Sequence, residues 1–177
     1  DACGPGYQDY LAKELRTRVG TALSPGEVLI TNAGTHPRAK WVAHAAVMDY
    51  RGIGFQRAEP TLKVIEQCCH NILFSIDKGI PEPVTVAWVS LGAGVGGLSV
   101  EDSTLIACTQ LRARTPPNIR GVTFYGYSQD EFTRIDEVVR QFYTRVGTRP
   151  CQMCTSAHTT GQSRVSALVV YETSLTR

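Results

Sequence analysis

The stretch Val86-Ala-Trp-Val-Ser-Leu-Gly-Ala-Gly-Val-Gly-Gly-Leu98, followed directly by Ser99-Val-Glu-Asp102, is the most informative part of this chain. An apolar, β-branched run leads into a segment in which positions 92, 94, 96 and 97 are glycine, and Ser99 with Asp102 is a helix-start signal. A strand, a glycine loop and a helix in this order present backbone N–H groups to a phosphate in α/β proteins. The stretch therefore predicts a site for a nucleotide or another diphosphate. The alternative is a glycine-rich turn that binds no ligand.

Helices and strands alternate along the rest of the chain, which predicts a three-layered α/β protein. Strand runs that are apolar without alternation predict a sheet buried on both faces. Pro60 is predicted as a first helical residue and Gly79 as a C-cap. The predicted helices cover 7–19, 60–79, 99–112 and 128–142, and the predicted strands cover 27–31, 41–47, 84–91, 121–126 and 165–171.

Length and composition predict one domain over residues 1–177, of an ordinary soluble globular kind with 42% hydrophobic residues. The net charge of +2 and the absence of a Lys/Arg run argue against nucleic-acid binding. No segment is apolar for long enough to span a bilayer, and the first residues are not typical of a secretory leader. Six cysteines in a chain of this length are not typical of a disulfide scaffold, so we expect a reducing, cytoplasmic setting.

Three features outside the glycine stretch could carry chemistry. Cys151-Gln-Met-Cys154 is a lone CxxC pair, and because a zinc site needs two further ligands we expect ordinary thiols, no metal and no cofactor. His44 lies in an apolar strand and is expected to be a buried, hydrogen-bonded histidine. Asp49, in the polar segment that follows, is the best carboxylate for general-base catalysis, with a salt bridge to Arg51 as the alternative.

Three segments, in this order, resemble those of a macro domain: Lys40-Trp-Val-Ala-His-Ala-Ala-Val47, Leu91-Gly-Ala-Gly-Val-Gly-Gly-Leu98 and Val122-Thr-Phe-Tyr-Gly-Tyr127. The resemblance covers residues 3–144. It implies a three-layer α/β/α fold with a mixed central sheet. It also implies binding of ADP-ribose, and some macro domains hydrolyse O-acetyl-ADP-ribose or ADP-ribosyl linkages on proteins or nucleic acids.

The same resemblance assigns roles within the site. The diphosphate would be bound by main-chain amides of the glycine loop, and one aromatic side chain would pack on the adenine. The implied ligand-binding residues are Ser90, Leu91, Gly92, Ala93, Gly94, Val95, Gly96 and Gly97 in the loop, with Tyr125 at the adenine.

The chain departs from the family pattern at its beginning. A macro domain normally opens with two strands that carry a Gly-Asp at the adenine and an Asn-Ala-Ala-Asn loop at the distal ribose, whereas this sequence starts inside the next helix. In the tail, 145–177, Val165-Ser-Ala-Leu-Val-Val-Tyr171 is similar to the second of these strands and His158–Ser163 to the Gly-Asp segment. This suggests a circularly permuted or N-terminally truncated chain with adjacent termini. The substitutes for the family's Asp, Asp and paired Asn would be Thr159, Ser166, Val170 and Thr173.

Three functions remain open on the sequence. The first is binding of ADP-ribose or a related nucleotide diphosphate, with ADP-ribosylated molecules as partners and no membrane contact. The second is hydrolysis of O-acetyl-ADP-ribose or ADP-ribosylated substrates, which needs a water-orienting group from Asp49 or the tail. The third is a scaffold that binds no nucleotide and acts as a protein-interaction module. The departures at the adenine and ribose positions affect catalysis more than binding, because a lost charge-assisted hydrogen bond weakens but does not remove the ligand's contacts.

Overall fold

A computed structural model describes residues 3–20, 22–49 and 59–145 of the chain, together with the backbone of residues 166–172. Within these ranges, four helices and five strands follow one another in the order that the sequence predicts. They are α1 (Tyr7–Arg18), β1 (Val28–Asn32), β2 (Trp41–Ala45), α2 (Leu62–Gly79), β3 (Val84–Val89), α3 (Val100–Arg114), β4 (Ile119–Tyr125), α4 (Gln129–Arg145) and β5 (Ser166–Glu172).

The strands form one sheet in the order β1-β2-β5-β3-β4. β1 is antiparallel to β2, and the three other pairs are parallel, so the sheet is mixed as predicted. β5, the last of these strands in the chain, lies at the centre. It pairs with β2 along Leu168–Glu172 and with β3 along Ser166–Val169. In the described sheet β2 and β3 are therefore joined through β5 and not directly.

The contacts of the β2 side chains show which face of the sheet each helix covers. Val42 packs with Tyr7 of α1, and His44 bonds to the same tyrosine. Ala43 and Ala45, which point the other way, belong to the cluster formed with α2 and α3. Because successive strand residues face opposite sides, α1 covers one face, α2 and α3 cover the other, and the fold has three layers.

The main hydrophobic core lies between the sheet and α2. This helix buries an apolar stripe at helical spacing against the inner side chains of β3. Each fully buried aliphatic side chain contributes about 1.5–3 kcal/mol, so this packing firmly holds the end of β3, where the glycine loop begins. The buried members of the stripe are Ile65, Cys68, Cys69, Ile72, Leu73 and Ile76, and those of β3 are Val84, Val86 and Trp88.

Both predicted ends of α2 are wrong by one or two residues. Thr61 is the N-cap, and its side chain accepts the N–H of Val64 at 3.3 Å, so Pro60 lies before the cap. Pro60 instead packs beside the glycine loop, where its ring approaches Gly96. Gly79 is the last helical residue, and Ile80 ends the helix with extended backbone.

The expectation of a sheet buried on both faces is wrong for β4. None of its residues is fully buried, whereas every second residue of β3 is. β4 is an edge strand of the described sheet, and α1 contacts β1 at the opposite edge. The apolar run in β4 therefore reflects packing on one face, against α4 and the main core.

Among the helices of the described ranges, none is long and apolar enough to cross a membrane.

Candidate functional site

The glycine loop, residues 90–98, connects the end of β3 to the start of α3. Three main-chain hydrogen bonds fold it into turns: Ala93 to Ser90 (3.3 Å), Gly97 to Gly94 (3.2 Å) and Leu98 to Gly92 (3.0 Å). The N–H groups of Gly94 and Gly96 donate to no acceptor in the part of the chain that the structure describes. Gly94 is exposed, so its amide is open to an anionic ligand, whereas Gly96 is buried and its amide is a buried donor with no acceptor among the described residues.

The four glycines of the loop are required for different reasons. Gly92 and Gly97 have φ of +75°, a left-handed conformation that a side chain disfavours. A Cβ on Gly96 would lie 2.5 Å from the carbonyl oxygen of Gly92 and 2.6 Å from Cγ of Pro60. A Cβ on Gly94 would have nothing within 4 Å. Three glycines therefore shape the loop, and the fourth faces open space.

The flanking residues predicted for the site differ widely in burial. Leu91 is fully buried, and Ser90 and Ala93 are half-buried. Val95 is 68% exposed at the tip of the loop. Leu91 therefore anchors the loop in the core, while Val95 is placed where a ligand could contact it.

The N-terminus of α3 lies next to the loop and favours the binding of an anion there. The hydroxyl of Ser99 accepts the N–H of Asp102 at 3.0 Å, which caps the helix as predicted. A helix N-terminus carries a partial positive charge that favours anions. Glu101, in the first turn, is tied to α4 by two 2.6 Å hydrogen bonds from Arg134. The hydrogen bonds from Arg134 hold the pKa of Glu101 below its usual value, so the pair stays ionised at neutral pH.

Tyr125 lies beside the beginning of the glycine loop, and its implied contact with adenine stays a prediction. It is the last residue of β4 and pairs in register with Val89, the last residue of β3. Its side chain is 54% exposed. The carboxyl edge of the sheet therefore brings an accessible aromatic ring next to the glycine loop.

Two more exposed aromatic side chains, one just before α4 and one in its first turn, are not among the site residues that the sequence predicts. Tyr127 is 92% exposed, while its N–H is held by the Glu131 carboxylate at 2.6 Å. Phe132 is 50% exposed, one turn before Ile135, and Ile135 packs in a cluster that includes Ala93 of the loop. In the sequence Phe132 continues the apolar stripe of α4, so periodicity alone gives no signal that it is accessible.

His44 is a structural residue, as expected. It belongs to β2 and is buried beneath α1, where its Nε2 lies 3.0 Å from the Tyr7 hydroxyl and 3.1 Å from the Thr31 hydroxyl. These two hydroxyls are themselves 2.8 Å apart. Burial lowers the pKa of His44 to about 4, so the ring is neutral at physiological pH.

The remaining candidates are only partly described. Asp49 is half-buried, four residues beyond the end of β2, and its role as a general base stays a prediction. Arg51, the CxxC pair at 151 and 154, and the segment 158–163 lie outside the described residues. Within the described ranges no group of three or more His, Cys, Asp and Glu side chains could hold a metal ion.

The family model described as Macro domain matches residues 1–107 of this chain. That match includes β1, β2, α2, β3 and the glycine loop. No curated protein matches the sequence significantly.

Solved macrodomain structures share the fold. The Oceanobacillus iheyensis macrodomain with ADP superposes with a TM-score of 0.63 at 17% identity, covering 81% of this chain and 73% of that one. A mutant of the same macrodomain with ADPR gives 0.61 at 18% identity, covering 81% and 74%. The Trypanosoma brucei macrodomain in complex with ADP-ribose gives 0.57 at 20% identity, covering 73% of this chain and 51% of that one.

Proposed function

This chain belongs to the macro domain family, and from that premise we propose that it binds ADP-ribose or a related nucleotide diphosphate through the glycine loop. The observation that carries the proposal is the pair of N–H groups on Gly94 and Gly96, which have no acceptor among the described residues. They lie next to the N-terminus of α3. A diphosphate would accept hydrogen bonds from both and would be stabilised by the helix dipole.

The nucleobase would occupy the side of the loop where β4 ends. The exposed ring of Tyr125 offers a stacking surface for adenine, and base–aromatic stacking contributes about 1–3 kcal/mol. Similar macrodomains crystallised with ADP and with ADP-ribose support this choice of ligand. ADP-ribosylated molecules are proposed as partners on the same ground, since they carry the same nucleotide.

Hydrolysis of O-acetyl-ADP-ribose or of ADP-ribosylated substrates is the second candidate function. It is favoured by the position of Asp49, which follows the carboxyl end of β2 at the edge of the sheet that carries the loop. A carboxylate there could act as a general base toward water. Asp49→Ala should then remove turnover and leave nucleotide affinity unchanged, whereas a pure binding protein would show no turnover in either form.

We also propose that residues 1–177 form one macro domain whose order is circularly permuted. β5 lies between β2 and β3 and runs parallel to both, although it follows them in the chain. This arrangement is expected if the tail of this chain supplies a strand that precedes the other strands in the sequence of a typical macro domain.

A cytoplasmic location is part of the same proposal. The four described cysteines, Cys3, Cys68, Cys69 and Cys108, are buried thiols. Thiols persist in reducing compartments, which supports an intracellular setting.

Titration calorimetry with ADP-ribose, with ADP and AMP as comparisons, tests the binding function directly. We expect micromolar affinity for ADP-ribose, a weaker interaction with ADP and little with AMP, which lacks the diphosphate. A folded chain that gives no heat with any of the three would favour the scaffold that binds no nucleotide. The search for partners would then turn to proteins.

A further inference from the structure

Two adjacent hydroxyl groups of α3 attach that helix to the entrance of the glycine loop. The Oγ of Ser103 donates to the carbonyl oxygen of Leu91 at 2.8 Å, and the Oγ1 of Thr104 lies 3.2 Å from the Oγ of Ser90. Ser103 is 2% exposed and Thr104 is fully buried. Consecutive residues of the helix therefore hold consecutive residues of the loop.

These contacts differ from the usual behaviour of hydroxyl side chains in helices. A serine or threonine within a helix commonly bonds to the carbonyl four residues earlier. Thr109 of the same helix does so, donating to Leu105 at 2.8 Å. The hydroxyls of Ser103 and Thr104 instead form hydrogen bonds with residues of the loop, outside α3.

The bond to Leu91 fixes a peptide plane at the start of the loop. Leu91 lies beyond the end of β3, so its carbonyl is outside the β-ladder. The carbonyl of Leu91 and the N–H of Gly92 belong to one planar peptide unit and point in opposite directions. Holding the oxygen therefore sets the direction in which the chain enters the left-handed conformation of Gly92 and the turns beyond it.

We propose that Ser103, assisted by Thr104, is a positioning residue for the diphosphate loop. It would contact no part of the ligand and would act by keeping the amides of Gly94 and Gly96 aligned before binding. Preorganised donors bind an anion more tightly because no ordering is needed on association. The inference rests on the proposed binding function, but its structural part can be measured without any ligand.

The test compares Ser103→Ala with Ser103→Thr, which keeps the hydroxyl, and with Thr109→Ala, which removes a hydroxyl of α3 that does not reach the loop. We expect Ser103→Ala to bind ADP-ribose about tenfold more weakly, the scale of one hydrogen bond. Ser103→Thr should restore most of the affinity, and Thr109→Ala should bind like the wild type. The loss should extend to ADP and spare adenosine, which lacks the diphosphate.

A second readout is the amide proton–nitrogen spectrum of the ligand-free protein. The Gly94 and Gly96 signals should move in Ser103→Ala and stay in place in Thr109→Ala. If Ser103→Ala does not fold, Thr104→Val, which keeps the side-chain shape, is judged by the same two readouts.

Three outcomes would overturn the positioning role: unchanged affinity in a folded Ser103→Ala, an equal loss in Thr109→Ala, or an equal loss toward adenosine. A wild type that binds no ADP-ribose would instead refute the proposed function. The loop signals would then decide the positioning role by themselves.

Discussion

At Gly94 a substitution can block access of a ligand to the loop without changing the shape of the loop. Gly94 lacks the left-handed backbone of Gly92 and Gly97, and it has none of the close contacts of Gly96. A side chain at this position would project into open space above the loop. Substitution there should alter the site and leave the fold intact.

Gly94→Glu is therefore expected to abolish ADP-ribose binding, because it fills the space above the loop and adds a negative charge where the diphosphate would lie. Gly79→Glu is the matched control. A Cβ on Gly79 also meets nothing within 4 Å, and Gly79 ends a helix of 18 residues, about 27 Å from its beginning near the loop. Calorimetry and thermal unfolding of both variants check the prediction. Equal affinity in the two variants would show that the loop is not the binding site.

His44 predicts how stability depends on pH. Its pKa falls from the usual 6.5 to about 4 in the folded chain, so the unfolded state binds a proton more readily between these values. Stability should therefore rise with pH from about 4 to about 6.5, and the full difference is about 3 kcal/mol. Urea unfolding at several pH values should show that the free energy of unfolding falls more steeply with decreasing pH in the wild type than in His44→Gln. The prediction fails if the two curves are parallel.

At the level of elements, the first turn of α4 packs on Gly126, the residue after Tyr125, and we expect the exposed ring of Phe132 to contact a bound base. Phe132→Ala should weaken binding of adenine nucleotides about fivefold or more, since stacking on a base contributes about 1–3 kcal/mol. Stability should change little, because the side chain is 50% exposed. Phe74→Ala is the control, since Phe74 is 56% exposed on α2, far from the loop. Equal affinities of the two variants would exclude Phe132 from the site.

The elements were largely predictable because their signals are local. Helical spacing, the Ser99 cap and the glycine stretch specified α2, α3 and the loop between β3 and α3 within a few residues. Pro60 was misassigned because proline is favoured at a first helical position, and only tertiary packing against Gly96 explains its actual place. The exposure of Phe132 depends on which residues cover it, and a single sequence does not contain that information.

The whole molecule depends on β5, since in the described sheet β2 and β3 are each paired with it and not with one another. Removing residues 146–177 would delete both ladders, five register pairs to β2 and four to β3. We expect this shortened chain to lose cooperative thermal unfolding, measured by circular dichroism. A chain lacking only residues 173–177 is the control and should unfold as the full chain does.

The truncation also tests the proposed permutation. Cooperative unfolding of the 1–145 chain at the temperature of the full chain would mean that β5 is dispensable to the sheet. The glycine loop would then be supported by β3, α2 and α3 alone. Loss of folding in the short chain, together with retention in the control, would support a central strand supplied from the tail.

The central position of β5 has a consequence for biosynthesis. A ribosome releases the chain from its beginning, so β2 and β3 emerge well before the strand that joins them. During that interval both present unpaired backbone edges, which are prone to pairing with other chains. Contacts between residues so distant in sequence also slow folding. Nascent chains of this protein should therefore depend on chaperones until residue 172 has left the exit tunnel.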